Sequence, residues 1–458
     1  MRQDCEARAT AEAGTREACL AGGGFRTRSF YRRSVLILSF GMLGVFGGFQ
    51  AAQGLQTSLN DTLGFINLAS LYAAFTLLCL IATPALEILE GAVGLRVVML
   101  VSSLAYVAMI LSNADTSNWA LPISMNVLVG VGAPLLWTCQ NDYVGRCAFH
   151  AAAQGQGAGD EQVGPDLETM TAEFNGLFFS VYQFAGMAGN LVASVVMLAL
   201  RGRSWMKDVL FFVLGAVSLA GASTFLLMPR VGPANSQSDR ASLQATVALA
   251  LGDARMRFMI PVIFTNGMTL AFILGDYPAD VICPVLGPSF TGLVVATFFG
   301  VNSAASAMWG RLIAKKSVSR RTAYVAAAFC IALFLLLRLL WHGPQNYQKQ
   351  GGEWRELSRP AWASGLPVFL LAALFAVGDA FWESGPVATL QNFFLSTPKN
   401  LPAMANYKMW QSLGFVAQFV LGAELRDEPT IRVAILLVLC VASTGSLLWL
   451  NCKVASVQ

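Results

Sequence analysis

The chain has 458 residues, of which 55% are hydrophobic and only 12% are charged, and its formal net charge is +4. A soluble domain carries about 25% charged residues, so this composition excludes a soluble enzyme and predicts a surface that faces lipid. The small net charge argues against a nucleic-acid partner. Two histidines, His150 and His342, leave little for a histidine metal site or a catalytic triad, so we expect no cofactor and no bound metal.

The apolar runs predict an all-α membrane protein with twelve transmembrane helices. Crossing a bilayer takes about 20 apolar residues, and backbone groups in hydrocarbon must be paired internally, which favours helices. In chain order the predicted helices are residues 34–54, 63–85, 95–112, 119–140, 174–200, 208–228, 258–280, 288–313, 322–341, 364–390, 405–423 and 431–450.

Polar stretches divide these helices into two groups of six. Residues 229–257 are predicted to be a cytosolic linker between an N-terminal six-helix bundle (34–228) and a C-terminal one (258–450). The sequence also predicts a disordered cytosolic tail over 1–33 and a second cytosolic tail over 451–458. Residues 146–173 are expected to be a flexible cytosolic loop, and 342–363 an outer loop at the membrane interface.

Lys and Arg residues indicate the orientation, because they accumulate on the cytosolic side of membrane proteins. With the N-terminus inside, 21 of the 30 Lys and Arg residues fall on the cytosolic side. Both termini are therefore predicted to be cytosolic. The sequence does not distinguish between the plasma membrane and an internal membrane. The sequon Asn60-Asp61-Thr62 falls on the predicted outer side, which makes Asn60 a possible glycosylation site.

A repeated pattern links the two predicted bundles. The fifth helix contains Tyr182-Gln183, Gly186 and Asn190, and the eleventh contains Trp410-Gln411, Gly414 and Gln418. Corresponding motifs in two six-helix groups joined by a cytosolic linker are typical of a transporter built from parallel repeats. Gln183 and Asn190 lie on one helix face, where amides form interhelical hydrogen bonds or line a polar cavity.

Several motifs resemble the UNC-ninety-three-like family, a branch of the major facilitator superfamily. They are residues 130–143 (GVGAPLLWTCQNDY), 178–183 (FFSVYQ), 378–382 (GDAFW) and 410–415 (WQSLGF), with support from 55–59 (LQTSL) and 275–277 (GDY). The resemblance implies the major facilitator fold. It also implies a non-enzymatic regulatory role, toward a potassium-type ion channel or toward the trafficking of membrane receptors.

Asp379 and Glu383 are four residues apart on the predicted tenth helix, inside an apolar run. Carboxylates within a membrane are functional candidates, and this pair suits a proton or cation site. Alternatively, the two groups face a water-filled vestibule or pair with Lys408 or Arg338.

Amides add to this candidate site. Gln50, Gln53 and Gln56 recur at a spacing of three on the first helix, and they either line a central cavity with Asn302 of the eighth helix or pack between helices. Gln411 belongs to the repeated pattern. By contrast, Asp276 and Asp280 are expected to be solvated, near the outer end of the seventh helix.

Two functions remain open on the sequence alone. One is a regulatory membrane protein whose partners are the lipid bilayer and a channel or receptor subunit. The other is a secondary transporter that couples a proton or cation to a small polar solute, with Asp379, Glu383 and the amides as the site.

Overall fold

In the computed structural model, residues 27–155, 167–232, 243–350, 353–359, 362–394, 397 and 399–455 are described. The helices are α1 (Arg28–Asn60), α2 (Thr62–Cys79), α3 (Ala82–Val93), α4 (Leu95–Ser112), α5 (Ala120–Gly155), α6 (Leu167–Tyr182), α7 (Phe184–Ala199), α8 (Met206–Thr224), α9 (Leu243–Gly252), α10 (Ala254–Ala271), α11 (Thr291–Ala314), α12 (Arg320–Leu340), α13 (Trp362–Phe394), α14 (Asn400–Glu424) and α15 (Pro429–Ala455). A helix is present at each of the twelve predicted positions.

Eleven helical segments in the described part of the chain are long and apolar enough to cross a membrane. Many of their large apolar side chains are exposed, for example Leu77, Val195, Phe212 and Val438. Since lipid is the solvent that tolerates such a surface, the chain is a multi-pass integral membrane protein. The segment α14 is helical over 25 residues but is more polar than these eleven.

Several boundaries differ from the prediction. The first helix begins at Arg28 rather than at residue 34, and the predicted helix 63–85 is two helices, α2 and α3. The predicted loop 146–173 is largely helical, since α5 continues to Gly155 and α6 begins at Leu167. At the first helix and in the predicted loop, polar helical turns extend beyond the apolar run, which hydropathy alone does not detect. The break between α2 and α3 falls at Leu80 and Ile81, inside the apolar run, where hydropathy gives no signal.

The predicted linker and tails also contain helix. Within 229–257 lies α9, and α15 continues to Ala455 in the predicted tail. Residues 1–26, 156–166, 233–242 and 456–458, which complete the predicted tails, loop and linker, lie outside the described residues.

The predicted outer loop 342–363 contains strands, which corrects the purely helical expectation. Strands β1 (Tyr347–Gln350) and β2 (Glu353–Glu356) pair antiparallel, with Tyr347 opposite Glu356. Asn346 fixes the base of this β-hairpin, because its backbone N–H donates to the carbonyl of Pro284 and its side chain donates to that of Val285. We call the end of the molecule that carries these strands the hairpin end, and the opposite end the linker end.

The seventh predicted helix departs from α-geometry where it approaches the hairpin end. After Ala271, α10 continues through two π-helical segments, Phe272–Asp276 and Pro278–Ile282, and one last α-turn, Cys283–Leu286. Such π-turns are rare and frequently occur at functional sites. Here they place the carboxylates of Asp276 and Asp280.

Buried apolar side chains form two clusters. One comes from residues 31–228, and the other comes from residues 249–450 together with Phe65 and Leu68 of α2. We call residues 27–232 the N-terminal half and residues 243–455 the C-terminal half. Each half therefore has its own core, and α2 takes part in both clusters because it packs along α14.

Candidate functional site

A cavity of about 180 Å³ lies between the two halves. Ten aromatic side chains, six of the predicted polar residues and one lysine line it. From the N-terminal half come Phe46, Phe49, Gln50, Gln53, Leu71, Tyr72, Phe75, Tyr106, Ala133, Trp137 and Tyr182; from the C-terminal half come Leu270, Leu274, Phe298, Phe299, Asn302, Asp379, Glu383, Lys408, Gln411, Ser412 and Phe415.

The charged groups of this cavity all belong to the C-terminal half. Asp379 is fully buried, and Asn302 donates to its Oδ2 at 2.9 Å, while its Oδ1 has no hydrogen-bond partner. Glu383 is one helical turn further along α13, and both it and Lys408 of α14 are exposed to the cavity. Among the described residues, none of these three side chains makes an ion pair within 4.0 Å.

Lys408 is held by uncharged neighbours. Its Nζ donates to Gln411 Oε1 at 3.3 Å and lies 5.9 Å from the ring centroid of Trp137, across the boundary between the halves. Its ring contact with Tyr407, at 5.2 Å, is within its own helix. Such cation–π contacts stabilise a desolvated ammonium group.

Amide groups connect the helices around the cavity. Gln411 Nε2 donates to Asn266 Oδ1 at 2.8 Å, which links α14 to α10. In the N-terminal half, Gln53 Nε2 donates to the hydroxyl of Tyr72 at 3.0 Å. The Oε1 atom of Gln50 is buried and has no partner. Gln56, the third residue of the predicted stripe, is instead buried against Asn67, which donates to its Oε1 at 3.1 Å.

Gln183 and Asn190 do not line the cavity. Gln183 is exposed at the break between α6 and α7, and Asn190 is buried, with its amide donating to the Gly186 carbonyl of its own helix. The small residue of this pattern, Gly186, packs against Phe299, whose ring an added Cβ would meet at 2.6 Å. At the neighbouring Gly189 the contact is with backbone, since an added Cβ would meet the carbonyl oxygen of Gly47 at 1.8 Å.

The C-terminal half has the same kind of close contact. A Cβ at Gly414 would meet the carbonyl oxygen of Phe264 at 2.1 Å, and one at Gly267 would meet that of Gln411 at 2.0 Å. The backbones of α10 and α14 thus touch, as those of α1 and α7 do. Small residues permit this approach between membrane helices.

A second polar cluster at the hairpin end was not predicted. Asp276, expected to be solvated, is fully buried, and the side chain of Asp280 is only 9% exposed, so that expectation is wrong. Arg432, itself fully buried, forms ion pairs with Asp276 and with Asp280, the latter at 2.8 Å. Gln418 Nε2 donates to the other oxygen of Asp276 at 3.0 Å. The carboxylates are neutralised by an arginine that the sequence places 156 residues away.

The same cluster joins the two halves. Arg426 of the C-terminal half pairs with Asp280 at 2.6 Å and with Asp61, between α1 and α2, at 2.9 Å. Lys349 of the hairpin approaches Asp61 at 3.6 Å, and burial lowers the pKa of this lysine while Asp61 opposes that shift. We call these contacts of Asp61 with Arg426 and Lys349 the latch.

The β-hairpin adds further contacts between the halves. Arg201, between α7 and α8, pairs with Glu356 at 2.6 Å and donates to the Tyr347 hydroxyl at 2.7 Å. Trp354 Nε1 donates to the Ser58 carbonyl at 2.8 Å. A cleft of about 550 Å³ lies beside the hairpin, and Arg338 lines it rather than the central cavity.

Ion pairs at the linker end stay within one half. Arg146 of α5 makes a bidentate contact with Glu90 of α3, at 2.6 and 2.7 Å. Arg28 pairs with Glu173, also within the N-terminal half. In the described part of the chain, ion pairs between the halves occur only at the hairpin end. Nearer the linker end the halves are joined by a neutral hydrogen bond, in which Thr76 Oγ1 of α2 donates to Ser412 Oγ of α14 at 2.8 Å.

Asn60 lies beside this region and is half-buried. Its Nδ2, the atom that would carry a glycan, donates to Asn113 Oδ1 at 2.9 Å. Among the described residues, no group of three or more His, Cys, Asp or Glu side chains is arranged to hold a metal ion.

The fold and the apolar surface define a helical, multi-pass membrane protein. A solved POT family transporter, crystallised in complex with a thioalcohol-conjugated peptide, superposes with a TM-score of 0.66 at 11% identity, over 92% of this chain and 96% of the transporter. At that identity the likeness concerns the fold alone.

The family model described as "Ion channel regulatory protein UNC-93" matches residues 56–448, and the chain belongs to this family. "Protein unc-93 homolog A" of Bos taurus is 28% identical over 429 residues, covering 84% of this chain and 86% of the relative. The "Putative potassium channel regulatory protein unc-93" of Caenorhabditis elegans is 21% identical, over 88% of this chain and 59% of that protein.

Proposed function

We propose that this protein is a non-enzymatic regulator of a potassium-type ion channel or of the trafficking of membrane proteins. The match to the UNC-93 family over residues 56–448 carries this proposal. The name of the Caenorhabditis elegans relative supports a potassium channel as the regulated partner. The multi-pass structure supports a role exerted within the bilayer, through contact with another membrane protein.

Deletion in the cell of origin tests this role. We expect loss of the protein to change a whole-cell potassium current, or the surface amount of a channel that co-purifies with it, and re-expression to restore both. A variant with an altered cavity, Asp379→Asn, serves as the matched re-expression control, because regulation by contact does not need this carboxylate. Unchanged currents and unchanged surface amounts after deletion would contradict the proposal.

We further propose the architecture of a major facilitator protein, in which α14, the predicted eleventh helix, completes the set of twelve spanning helices. Its units are a cytosolic tail (1–33), two six-helix bundles (34–228 and 258–450), a cytosolic linker (229–257) and a second tail (451–458), with both termini in the cytosol. The two separate apolar cores and the paired close contacts α1–α7 and α10–α14 support this arrangement.

Membrane-impermeant labelling of single cysteines tests the orientation. A cysteine at Gln348 in the hairpin should react from outside, whereas one at Ser319, between α11 and α12, should react only after permeabilisation. Reaction of both from the same side would overturn the proposed topology.

A second function is favoured by the charged cavity, which we propose to be a binding site for an ion or a small polar solute. Six of the polar residues predicted from the sequence line it: Gln50, Gln53, Asn302, Asp379, Glu383 and Gln411. Among the described residues the ion pairs between the halves all lie at the hairpin end, which supports an alternating-access transporter. Uptake into proteoliposomes that depends on a proton gradient and fails for Asp379→Asn would support transport; equal uptake by both proteins would exclude this site.

A further inference from the structure

The central cavity has hydrogen-bond acceptors without donors. Asp379 Oδ1 and Gln50 Oε1 are both buried, and neither has a hydrogen-bond partner. They come from opposite halves and line the same cavity. The amides that could have donated are engaged elsewhere, since Gln411 Nε2 binds Asn266 and Gln53 Nε2 binds Tyr72. Because a buried acceptor without a donor is costly, a molecule bound here gains by bringing N–H groups.

The formal charge of the lining is also unbalanced. Asp379 and Glu383 are two carboxylates, whereas Lys408 is the one basic side chain among the lining residues. No ion pair within 4.0 Å neutralises any of them among the residues described. One positive charge balances the formal charge of the site; either a proton on one carboxylate or a cationic ligand at the α13 wall supplies it.

The rest of the cavity is aromatic and lies mainly in the N-terminal half. Seven of the ten lining rings belong to that half, including Phe49 and Trp137, while Phe298 and Phe299 stand on α11 beside Asn302. Faces of such rings attract both apolar groups and ammonium groups. The cavity therefore has an anionic wall in one half and an aromatic wall in the other.

From this arrangement we propose that the cavity binds a small organic amine, with its ammonium between Asp379, Glu383 and Gln50 and its apolar body against the rings of the N-terminal half. An engineered apolar cavity of about 150 Å³ accommodates benzene, so about 180 Å³ suits one ring with a short aminoalkyl chain. The proposal rests on the solute-binding role of the cavity and is independent of channel regulation.

Calorimetric titration of the purified full-length protein at pH 7 provides the test. The probes are 2-phenylethylamine, its neutral analogue 2-phenylethanol, and the N,N,N-trimethyl derivative of the amine. The first should bind about ten- to a hundredfold more tightly than the alcohol, because charge-assisted hydrogen bonds are lost. The trimethyl compound should be weaker than the amine, since it keeps the charge but donates nothing to Asp379 Oδ1 or Gln50 Oε1.

Variants locate the site. Asp379→Asn and Glu383→Gln should each weaken amine binding about tenfold or more, whereas Asp208→Asn, an exposed carboxylate in the first turn of α8, should leave it unchanged. Asparagine at 379 can still accept from Asn302, so the fold should survive. Equal binding of amine and alcohol would overturn the proposal, and so would amine binding that survives both cavity substitutions. The proposal also fails if no probe binds when it is present at millimolar concentration and in at least tenfold excess over the protein. None of these outcomes depends on a channel current.

Discussion

Arg432 lies fully buried between two carboxylates, and its replacement by methionine is expected to destabilise the C-terminal half. Methionine fills a similar volume but leaves the charge of Asp276, also fully buried, without its cation. Removing one partner of a buried ion pair costs about 3–5 kcal/mol. Gln418 still donates to Asp276, and Asp280 keeps Arg426 at 2.6 Å, so the lower end of that range, about 3 kcal/mol, applies here.

Thermal unfolding in detergent measures this effect. For a unit of roughly 200 residues, each kcal/mol shifts Tm by about 2–4 °C, so Arg432→Met should lower Tm by about 6–12 °C. The double variant Asp276→Asn with Arg432→Met removes both charges while asparagine can still accept from Gln418. Since the penalty comes from an uncompensated carboxylate, the double variant should recover most of the loss.

Two results would refute this reasoning. A Tm within 2 °C of the native value for Arg432→Met would mean that Asp276 is not an uncompensated buried charge in the variant. A double variant no more stable than the single one would mean that Arg432 acts through packing rather than through its charge. The native protein and both variants are purified and unfolded in the same detergent, so differences in detergent do not enter.

Three further predictions concern the surroundings of the site. Asp61→Asn breaks the latch. Because exposed ion pairs contribute at most about 1 kcal/mol, Tm should fall only slightly, while maleimide labelling of the buried Cys283, measured by mass spectrometry, should become faster. An unchanged labelling rate would count against the latch. Asp253 accepts hydrogen bonds from the guanidinium and the backbone N–H of Arg255 at the start of α10, which lowers the pKa of its carboxyl to about 2. This stabilisation is complete above about pH 4 and is lost as the pH falls toward 2. Asp253→Ala should therefore lower the free energy of unfolding by about 0.5–2 kcal/mol at pH 7 and flatten the pH dependence of Tm; curves that run parallel for the two proteins would contradict this. Asn113→Ala removes the acceptor of the Asn60 amide. In a glycosylating host, the fraction of the protein that carries an endoglycosidase-sensitive glycan should therefore rise. An equal fraction in the native protein and the variant would show that this hydrogen bond does not limit glycosylation.

The helices could be predicted because apolar length alone nearly determines them. Leu95–Ser112, predicted over 95–112, has the predicted bounds because Gly94 and Asn113 limit an apolar run that is as long as the helix. The helices α5 and α13 are longer than predicted, since their final turns are polar and lie beyond the apolar window. A hydropathy window detects the part of a helix that contacts lipid, but it does not detect turns of the same helix that continue into water.

The pairing of the charged residues was harder to predict from the sequence. Asp276 and Asp280 have the same i, i+4 spacing as Asp379 and Glu383, yet the first pair is neutralised by Arg432 and the second pair is not. Nothing in the local sequence separates the two cases, because the deciding cation lies on another helix. The available signal was Arg432 itself, an arginine inside the predicted helix 431–450, but the sequence does not show which carboxylates it meets.

The cavity and the latch belong to one equilibrium. A ligand shifts a conformational equilibrium only by its differential affinity for the two states. In this state the latch joins the halves at the hairpin end. The cavity lies between the same two halves, since Asp379 lines it from one and Trp137 from the other. If an amine binds this state preferentially, breaking the latch with Asp61→Asn should weaken amine binding, and the amine should slow Cys283 labelling. We expect both effects in one preparation. Amine affinity unchanged by Asp61→Asn, together with faster labelling, would separate the two sites and leave the hairpin end as a purely structural closure.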